Sequence, residues 1–139
     1  MDREEYEYHA SYAALDVSIL LGKTMTDVEV LDSRMIVFHV DDGEIFVMFH
    51  YQECCESVYI EDICGDISDL VGLPITMAEC AKENLPAKDD YEESWTWVFY
   101  KIGTSAGSVT VRWYGSSNGY YGEEAEIRKV GREGEEDDS

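Results

Sequence analysis

Apolar and polar residues alternate from residue 26 onward, where Val28 and Val30 are separated by acidic positions. A period of two is typical of a β-strand that buries one face. Asp32-Ser33 then predicts a turn, and Asp42-Gly43 predicts a tight hairpin, because both central residues of such a hairpin adopt positive φ. The pattern therefore predicts a three-stranded antiparallel meander over residues 26–51.

Further strands are predicted in the second half of the chain, where segments rich in β-branched and aromatic residues are separated by glycine, serine, asparagine and proline. These segments are residues 57–64, 75–80, 94–102, 108–114 and 120–130. Consecutive strands joined by tight turns favour antiparallel pairing, and no regular alternation of strands with helices indicates a parallel sheet. We therefore expect a single antiparallel sheet of six or seven strands, drawn from these five segments and the three of the meander.

Two helices are predicted beside this sheet. Apolar residues spaced by three and four predict an amphipathic helix between Asp2 and Leu21. Asp66 lies where the N-cap of a second, short helix at 66–71 is expected. The predicted fold class is therefore α+β and β-rich, in one domain over residues 1–130.

Charge changes this picture. The 139 residues include 31 Asp and Glu against 10 Lys and Arg, which gives a formal net charge of −21. Such a field repels nucleic acid and anionic membranes and attracts basic protein surfaces. We therefore expect no direct nucleic-acid binding, no membrane binding, and a partner with a basic surface. The alternative is that the acidity serves solubility in a salty cytoplasm.

The composition of the two chain ends predicts their order and the location of the protein. Residues 131–139 are almost wholly polar and acidic, so a disordered acidic tail is predicted. The first residues lack the basic start and apolar run of a secretory signal, and no stretch has the length of a membrane span. A cytoplasmic location is expected, with reduced cysteines.

Residues 50–66 form the densest group of chemically active side chains. The candidate metal ligands are His50, Cys54, Cys55 and Cys64, since zinc favours nitrogen and sulfur donors. The spacing matches no recognised zinc motif, because no two cysteines are separated by two residues. The alternative is packed, reduced thiols without metal. We expect no cofactor, with zinc as the alternative.

Catalysis is not expected from this segment. Glu53 and Glu56 flank the adjacent cysteines and would raise a thiol pKa, whereas a nucleophilic cysteine needs an electropositive setting. Neighbouring carboxylates such as Asp41 and Asp42 are interpreted as solvated surface, because a chain this acidic produces such pairs by chance. The acids of the segment are instead candidates for a negative binding surface: Glu53, Glu56, Glu61, Asp62 and Asp66.

A hairpin over residues 113–122 places aromatic residues around glycines. One face of its sheet must be core, and the other could present an exposed aromatic patch with an arginine able to hold an anion. The candidate residues are Tyr100, Arg112, Tyr114, Tyr120 and Tyr121. The alternative is cross-strand aromatic packing covered by a helix.

The run from His50 to Asp66, with Gly72-Leu73-Pro74-Ile75 and residues 112–121, resembles a family of small uncharacterised proteins of bacteriophages and bacteria that carry a "domain of unknown function" label. The resemblance covers roughly residues 18–130. It implies a small cytosolic protein, often phage-borne, and it implies no activity or catalytic residues.

Three functions follow as hypotheses. The first is a phage-type binding protein that inhibits a host defence or nucleic-acid-processing protein, because acidic side chains can imitate a phosphate backbone. The second is a binder of a nucleotide signal that uses the aromatic hairpin and Arg112. The third is a zinc-stabilised domain or enzyme centred on the Cys/His segment.

Overall fold

The computed structural model describes residues 2–51, 56–83, 85–88, 94–117 and 123–131. Within these ranges the chain forms one α-helix, eight strands and two 3₁₀ turns. In chain order they are α1 (Arg3–His9), the first 3₁₀ turn (Val17–Leu20), β1 (Met25–Leu31), β2 (Met35–Val40), β3 (Ile45–Phe49), β4 (Glu56–Cys64), the second 3₁₀ turn (Ile67–Leu70), β5 (Met77–Glu83), β6 (Ser94–Thr104), β7 (Gly107–Ser117) and β8 (Glu126–Lys129).

The strands divide into two antiparallel sheets. The first sheet has the order β1-β2-β3-β8 and the second has the order β4-β7-β6-β5. The β-rich, antiparallel architecture is confirmed, but the prediction of a single sheet of six or seven strands is wrong. The division depends on long-range pairing, above all of β3 with β8, where Met48 lies opposite Ile127.

The predicted meander is present as β1, β2 and β3, although its turns differ from the prediction. Positive φ at both central residues occurs in the first turn, at Asp32 (55°) and Ser33 (53°). In the second turn only Gly43 has positive φ, and its N–H donates to the Val40 carbonyl at 3.0 Å. The second turn therefore has positive φ at Gly43 alone, and not at both Asp42 and Gly43 as predicted.

The main core lies between the two sheets. Its largest members from the first sheet include Phe38, Phe46 and Met48, and those from the second include Trp113 and Ile102. Burial of a side chain of this size stabilises the fold by about 1.5–3 kcal/mol. Of the two alternating valines of β1, Val28 is buried in this core, whereas Val30 is 39% exposed.

A second, smaller core explains why β2 and β3 read as continuous apolar runs. Their opposite face is covered by α1, and the cluster there comprises Tyr6, Met35, Val37, Val47, Phe49 and Val130. Strands buried on both faces lose the alternation of a half-buried strand. The first sheet is thus the middle layer between α1 and the second sheet.

The N-terminal helix is shorter than predicted. It begins after Asp2, whose carboxylate accepts the N–H of Glu5, and it ends at His9. Beyond it the Leu15 N–H donates to the Ile127 carbonyl at 2.7 Å, beside β8. This pairing requires extended backbone, so the helical pattern between Asp2 and Leu21 is overridden by contacts distant in sequence.

The remaining boundaries shift by a few residues. The short helix predicted at 66–71 is the second 3₁₀ turn, with Asp66 as its N-cap. The last predicted strand, 120–130, is reduced to β8 within the described residues, and the tail from 132 lies outside them. Among the described helices, none is long and apolar enough to cross a membrane.

Candidate functional site

Five carboxylates lie in the loops at one end of the sandwich. Asp41 and Asp42 form the β2–β3 turn, Asp62 lies near the end of β4, and Asp66 and Asp69 flank and occupy the second 3₁₀ turn. We call these five residues the acidic end. Four of them are exposed and Asp69 is half-buried.

Hydrogen bonds between loops hold the acidic end together. The Asp41 N–H donates to the Thr24 carbonyl at 2.9 Å, and the Gly72 N–H donates to the Met25 carbonyl at 2.9 Å. The segment entering β1 therefore joins the β2–β3 turn to the region of the second 3₁₀ turn. The Asp69 carbonyl also accepts the hydroxyl of Thr104 in the second sheet.

The carboxylates of the acidic end are oriented by local donors. Asp42 accepts the N–H of Glu44 at 2.8 Å, and Asp62 accepts the N–H of Ile63 at 2.9 Å. Asp66 accepts both the hydroxyl (2.7 Å) and the N–H (3.0 Å) of Ser68, which hold the pKa of Asp66 below its ordinary value. Charges held in this way present a fixed arrangement to a partner.

The cations of the described chain are largely used elsewhere. The ion pairs are Arg3 with Glu7 and Asp32, Lys23 and Lys129 with Glu44, His39 with Glu29, His50 with Glu56, Lys82 with Glu124, Lys88 with Glu61, and Arg128 with Glu126. Glu61, predicted as part of the negative surface, is therefore neutralised. None of the acidic-end carboxylates forms an ion pair with a described residue.

The opposite end of the sandwich joins the two segments that the sequence singled out. Glu56, which follows the cysteine pair, begins β4 and lies opposite Ser117, which precedes the aromatic hairpin tip. His50 Nδ1 lies 2.9 Å from the Glu124 carbonyl oxygen, and its Nε2 lies 3.3 Å from Glu56 Oε1. The carbonyl can only accept, so Nδ1 is the ring nitrogen that donates to Glu124.

A second buried carboxylate lies beside this pair. Glu123 accepts the Thr96 hydroxyl at 2.9 Å and the Ser117 hydroxyl at 2.7 Å. Both acids are shielded from solvent, since Glu123 is 9% exposed and the Glu56 side chain is 0% exposed. Hydrogen-bonded, buried groups of this kind anchor the adjoining chain segments and do not form a docking surface.

The predicted metal ligands do not form one cluster in the described chain. Cys64 is exposed at the far end of β4, eight residues from Glu56 and thus about 26 Å from the His50 contact. Its thiol donates to Asp62 Oδ2 at 3.5 Å instead. Glu53, Cys54 and Cys55 lie outside the described residues.

The expected exposed aromatic patch is wrong for its two described tyrosines. Tyr100 is buried between the sheets, where burial raises its pKa and its hydroxyl donates to the Ala125 carbonyl at 2.8 Å. Tyr114 is 1% exposed. Tyr120 and Tyr121 lie outside the described residues.

Tyr114 is buried because residues 85–88 cross the outer face of the second sheet. Two indole N–H groups of β6 bind this segment: Trp95 donates to the Leu85 carbonyl at 2.9 Å, and Trp97 donates to the Pro86 carbonyl at 3.0 Å. The Lys88 N–H donates to the Tyr114 hydroxyl at 3.2 Å. The outer face is therefore covered over its aromatic row, although the covering residues 85–88 are not the helix that the alternative interpretation expected.

Arg112 lies beside this covered row. Its guanidinium carbon is 5.6 Å from the centre of the Phe99 ring. Its Nε is buried without a hydrogen-bond partner, and it forms no ion pair with any described carboxylate. The half-buried guanidinium thus retains donors for an anion.

One group of potential metal ligands was not predicted from the sequence. The side chains of Asp27, Glu29 and His39 place one ligand atom each within 4.8 Å of one another. The signal was present, because alternation along β1 puts the two acids on one face and the hairpin brings the histidine across from them. The pairing register was needed to join them.

Comparisons with known proteins add one finding. No curated protein and no solved structure matches the chain. The family model described as "Domain of unknown function (DUF7448)" matches residues 18–127, and the chain belongs to this family.

Proposed function

We propose that the protein binds a basic protein surface through its acidic end and thereby inhibits a nucleic-acid-processing or defence protein of a host. One observation carries the proposal. Three of the four exposed carboxylates of the acidic end, those of Asp42, Asp62 and Asp66, accept local hydrogen bonds. None of the four has a cationic partner among the described residues, whereas most described cations are neutralised by other acids.

An array of this kind suits a groove that binds nucleic acid. Fixed negative charges attract lysine and arginine side chains and accelerate association at low salt. They also exclude nucleic acid itself, because like charges repel. The resemblance of the sequence to phage proteins favours a host protein as the partner.

The rest of the described molecule supports binding over catalysis. The polar groups best suited to acid–base chemistry are shielded from solvent: the side chains of His50 and Glu56 are 13% and 0% exposed, and Glu123 accepts the hydroxyls of Thr96 and Ser117. Groups that touch a substrate must be reached by it. The acidic end is instead open to solvent.

The test uses two variants of equal net charge. The first carries Asp41→Asn, Asp42→Asn, Asp62→Asn and Asp66→Asn, in which the amide oxygen can still accept the local hydrogen bonds. The matched control neutralises exposed acids elsewhere, with the substitutions Glu4→Gln, Glu5→Gln, Glu79→Gln and Glu83→Gln. Each set changes the formal charge from −21 to −17.

Immobilised protein is used to capture basic nucleic-acid-binding proteins from host lysate at low salt. The expected result is a partner retained by the natural chain and by the control, displaced by duplex DNA, and bound at least about tenfold more weakly by the acidic-end variant. Equal loss in both variants would show that bulk charge is responsible, and recovery of no such partner would contradict the proposal.

A second candidate function is the binding of a nucleotide-like anion at Arg112. The observation in its favour is the guanidinium that stacks on Phe99 and forms no ion pair with any described residue, in a chain with 31 acids. Arginine holds phosphate through paired N–H groups, and an aromatic ring accepts a base. The buried state of Tyr100 and Tyr114 reduces the aromatic surface available for this role.

This candidate is tested by thermal shift with a panel of mono-, di- and cyclic nucleotides. A shift that disappears in Arg112→Gln and persists in Lys101→Gln, which removes an exposed cation from β6, would support it. A shift unaffected by Arg112→Gln would remove it.

A further inference from the structure

A site with the donor chemistry of a transition-metal centre lies on the β1–β2 ribbon, where His39 precedes Asp41 of the acidic end by two residues. Asp27 and Glu29 are two residues apart on β1, so their side chains share one face. His39 lies opposite Asp27 in the register of the two strands. Side chains opposite one another on antiparallel strands have Cβ atoms about 4.5–5.5 Å apart, which brings the imidazole between the two acids.

The ligand atoms of the three side chains converge. All three lie within 4.8 Å of one another, and His39 Nε2 is 2.6 Å from Glu29 Oε2. Asp27 uses Oδ1 to accept the Val28 N–H at 2.9 Å, which fixes the direction of its other oxygen. Because small side-chain rotations bring atoms at this separation to a common ion, we propose that Asp27, Glu29 and His39 bind one divalent first-row transition-metal ion.

The donor set selects the class of ion. One imidazole nitrogen and two carboxylate oxygens supply two negative charges, which balance a divalent cation. Imidazole is a good ligand for Zn²⁺, Co²⁺, Ni²⁺ and Cu²⁺, whereas Ca²⁺ and Mg²⁺ prefer sites built wholly of oxygen. Metal ligands bind in their deprotonated form, so binding should weaken in acid.

The surroundings hold the ligands in place. The Tyr6 hydroxyl donates to Glu29 Oε2 at 3.4 Å, and its ring meets the His39 ring edge-on with centroids 6.4 Å apart. Groups that orient ligands in this way strengthen a metal site. Tyr6 belongs to α1, which precedes the family match at 18–127, so this support is added by the N-terminal segment of this chain.

The test is a titration of the full chain with Co²⁺, followed by its visible absorption, and with Zn²⁺ by calorimetry. One equivalent of Co²⁺ is expected, with d–d bands and no thiolate-to-cobalt charge-transfer band, because the site has no sulfur. Affinity should fall at least about tenfold in His39→Gln and in Asp27→Asn. Asp27 is exposed, so that variant is expected to fold even if His39→Gln does not.

Two control variants separate this site from other sources of binding. Glu79→Gln removes an exposed carboxylate of β5 in the second sheet, and His50→Gln removes the histidine beside the cysteine segment. Both should bind Co²⁺ as the natural chain does. Absence of stoichiometric binding, a thiolate band, or unchanged affinity in folded Asp27→Asn would each overturn the proposal.

Discussion

Gly115 offers a sharp test of how the aromatic hairpin is built. A Cβ at this position of β7 would lie 1.9 Å from the carbonyl oxygen of Glu123 and 2.9 Å from its Cβ. Side chains essentially never approach closer than 3.0 Å, and the obstructing atom belongs to the backbone. Gly115→Ala must therefore push the backbone at residue 123 away from β7.

The displacement has a calculable cost. It would break the hydrogen bonds that Glu123 accepts from Thr96 and Ser117, each worth about 1.5–3 kcal/mol because the acceptor is charged. Gly115→Ala is therefore expected to lower the free energy of unfolding by about 4 kcal/mol, a large fraction of the ~5–15 kcal/mol typical of a domain. The corresponding fall in Tm is about 15 °C.

Urea denaturation followed by tryptophan fluorescence measures this change. The matched control is Gly103→Ala in β6, where the nearest atoms to an added Cβ include the Ser108 Cβ at 3.1 Å and the Gly107 carbonyl oxygen at 3.3 Å, which need to move by only a few tenths of an ångström. A loss of about 1 kcal/mol is expected there. If the two variants differed by less than about 1 kcal/mol, the close packing of residue 123 against β7 would be refuted.

Two further predictions concern buried or paired polar groups. The Lys23 ammonium, at 2.7 Å, and Lys129 hold the pKa of Glu44 down to about 2 from 4.5. Glu44→Gln should therefore cost about 1–2 kcal/mol at neutral pH, and its difference from the natural chain should persist above pH ~4.5 and vanish as pH falls to ~2. A pH-independent difference in urea titrations would contradict this. Tyr100→Phe leaves the buried Ala125 carbonyl without its donor and should cost about 1–2 kcal/mol, with an unchanged urea m-value. A neutral effect would show that the carbonyl finds another donor.

The local part of the fold could be predicted from the sequence, and the long-range part could not. The meander of β1, β2 and β3 depends on neighbouring strands and short turns, so its pattern is visible in residues 26–51. The split into two sheets depends on β8 pairing with β3, and nothing in the sequence near Ile127 shows that partner. The end of α1 at His9 also has a long-range cause, because the backbone that follows the helix forms hydrogen bonds with β8.

The candidate site residues show the same difference between what neighbouring residues determine and what distant contacts determine. Asp66 was predicted as an N-cap and as a surface acid, and its local hydrogen bonds to Ser68 follow from adjacent residues. Tyr114 was expected at the surface, but it is covered by residues 85–88, which approach it from another part of the chain. Asp41 and Asp42 were interpreted as ordinary solvated turn residues, since only the tertiary structure places them with Asp66 at one end.

We propose that the folded body of the domain, and not its C-terminal tail, binds the basic partner through the acidic end. This claim is tested most directly by the affinity of a chain that ends at residue 130, without the acidic tail, for the partner captured by the full chain. We expect the shortened chain to bind the partner within about threefold of the affinity of the full chain. In the shortened chain, the substitutions Asp41→Asn, Asp42→Asn, Asp62→Asn and Asp66→Asn should then lower that affinity at least about tenfold. Loss of binding on removal of residues 131–139, with no effect of the four substitutions, would contradict the claim.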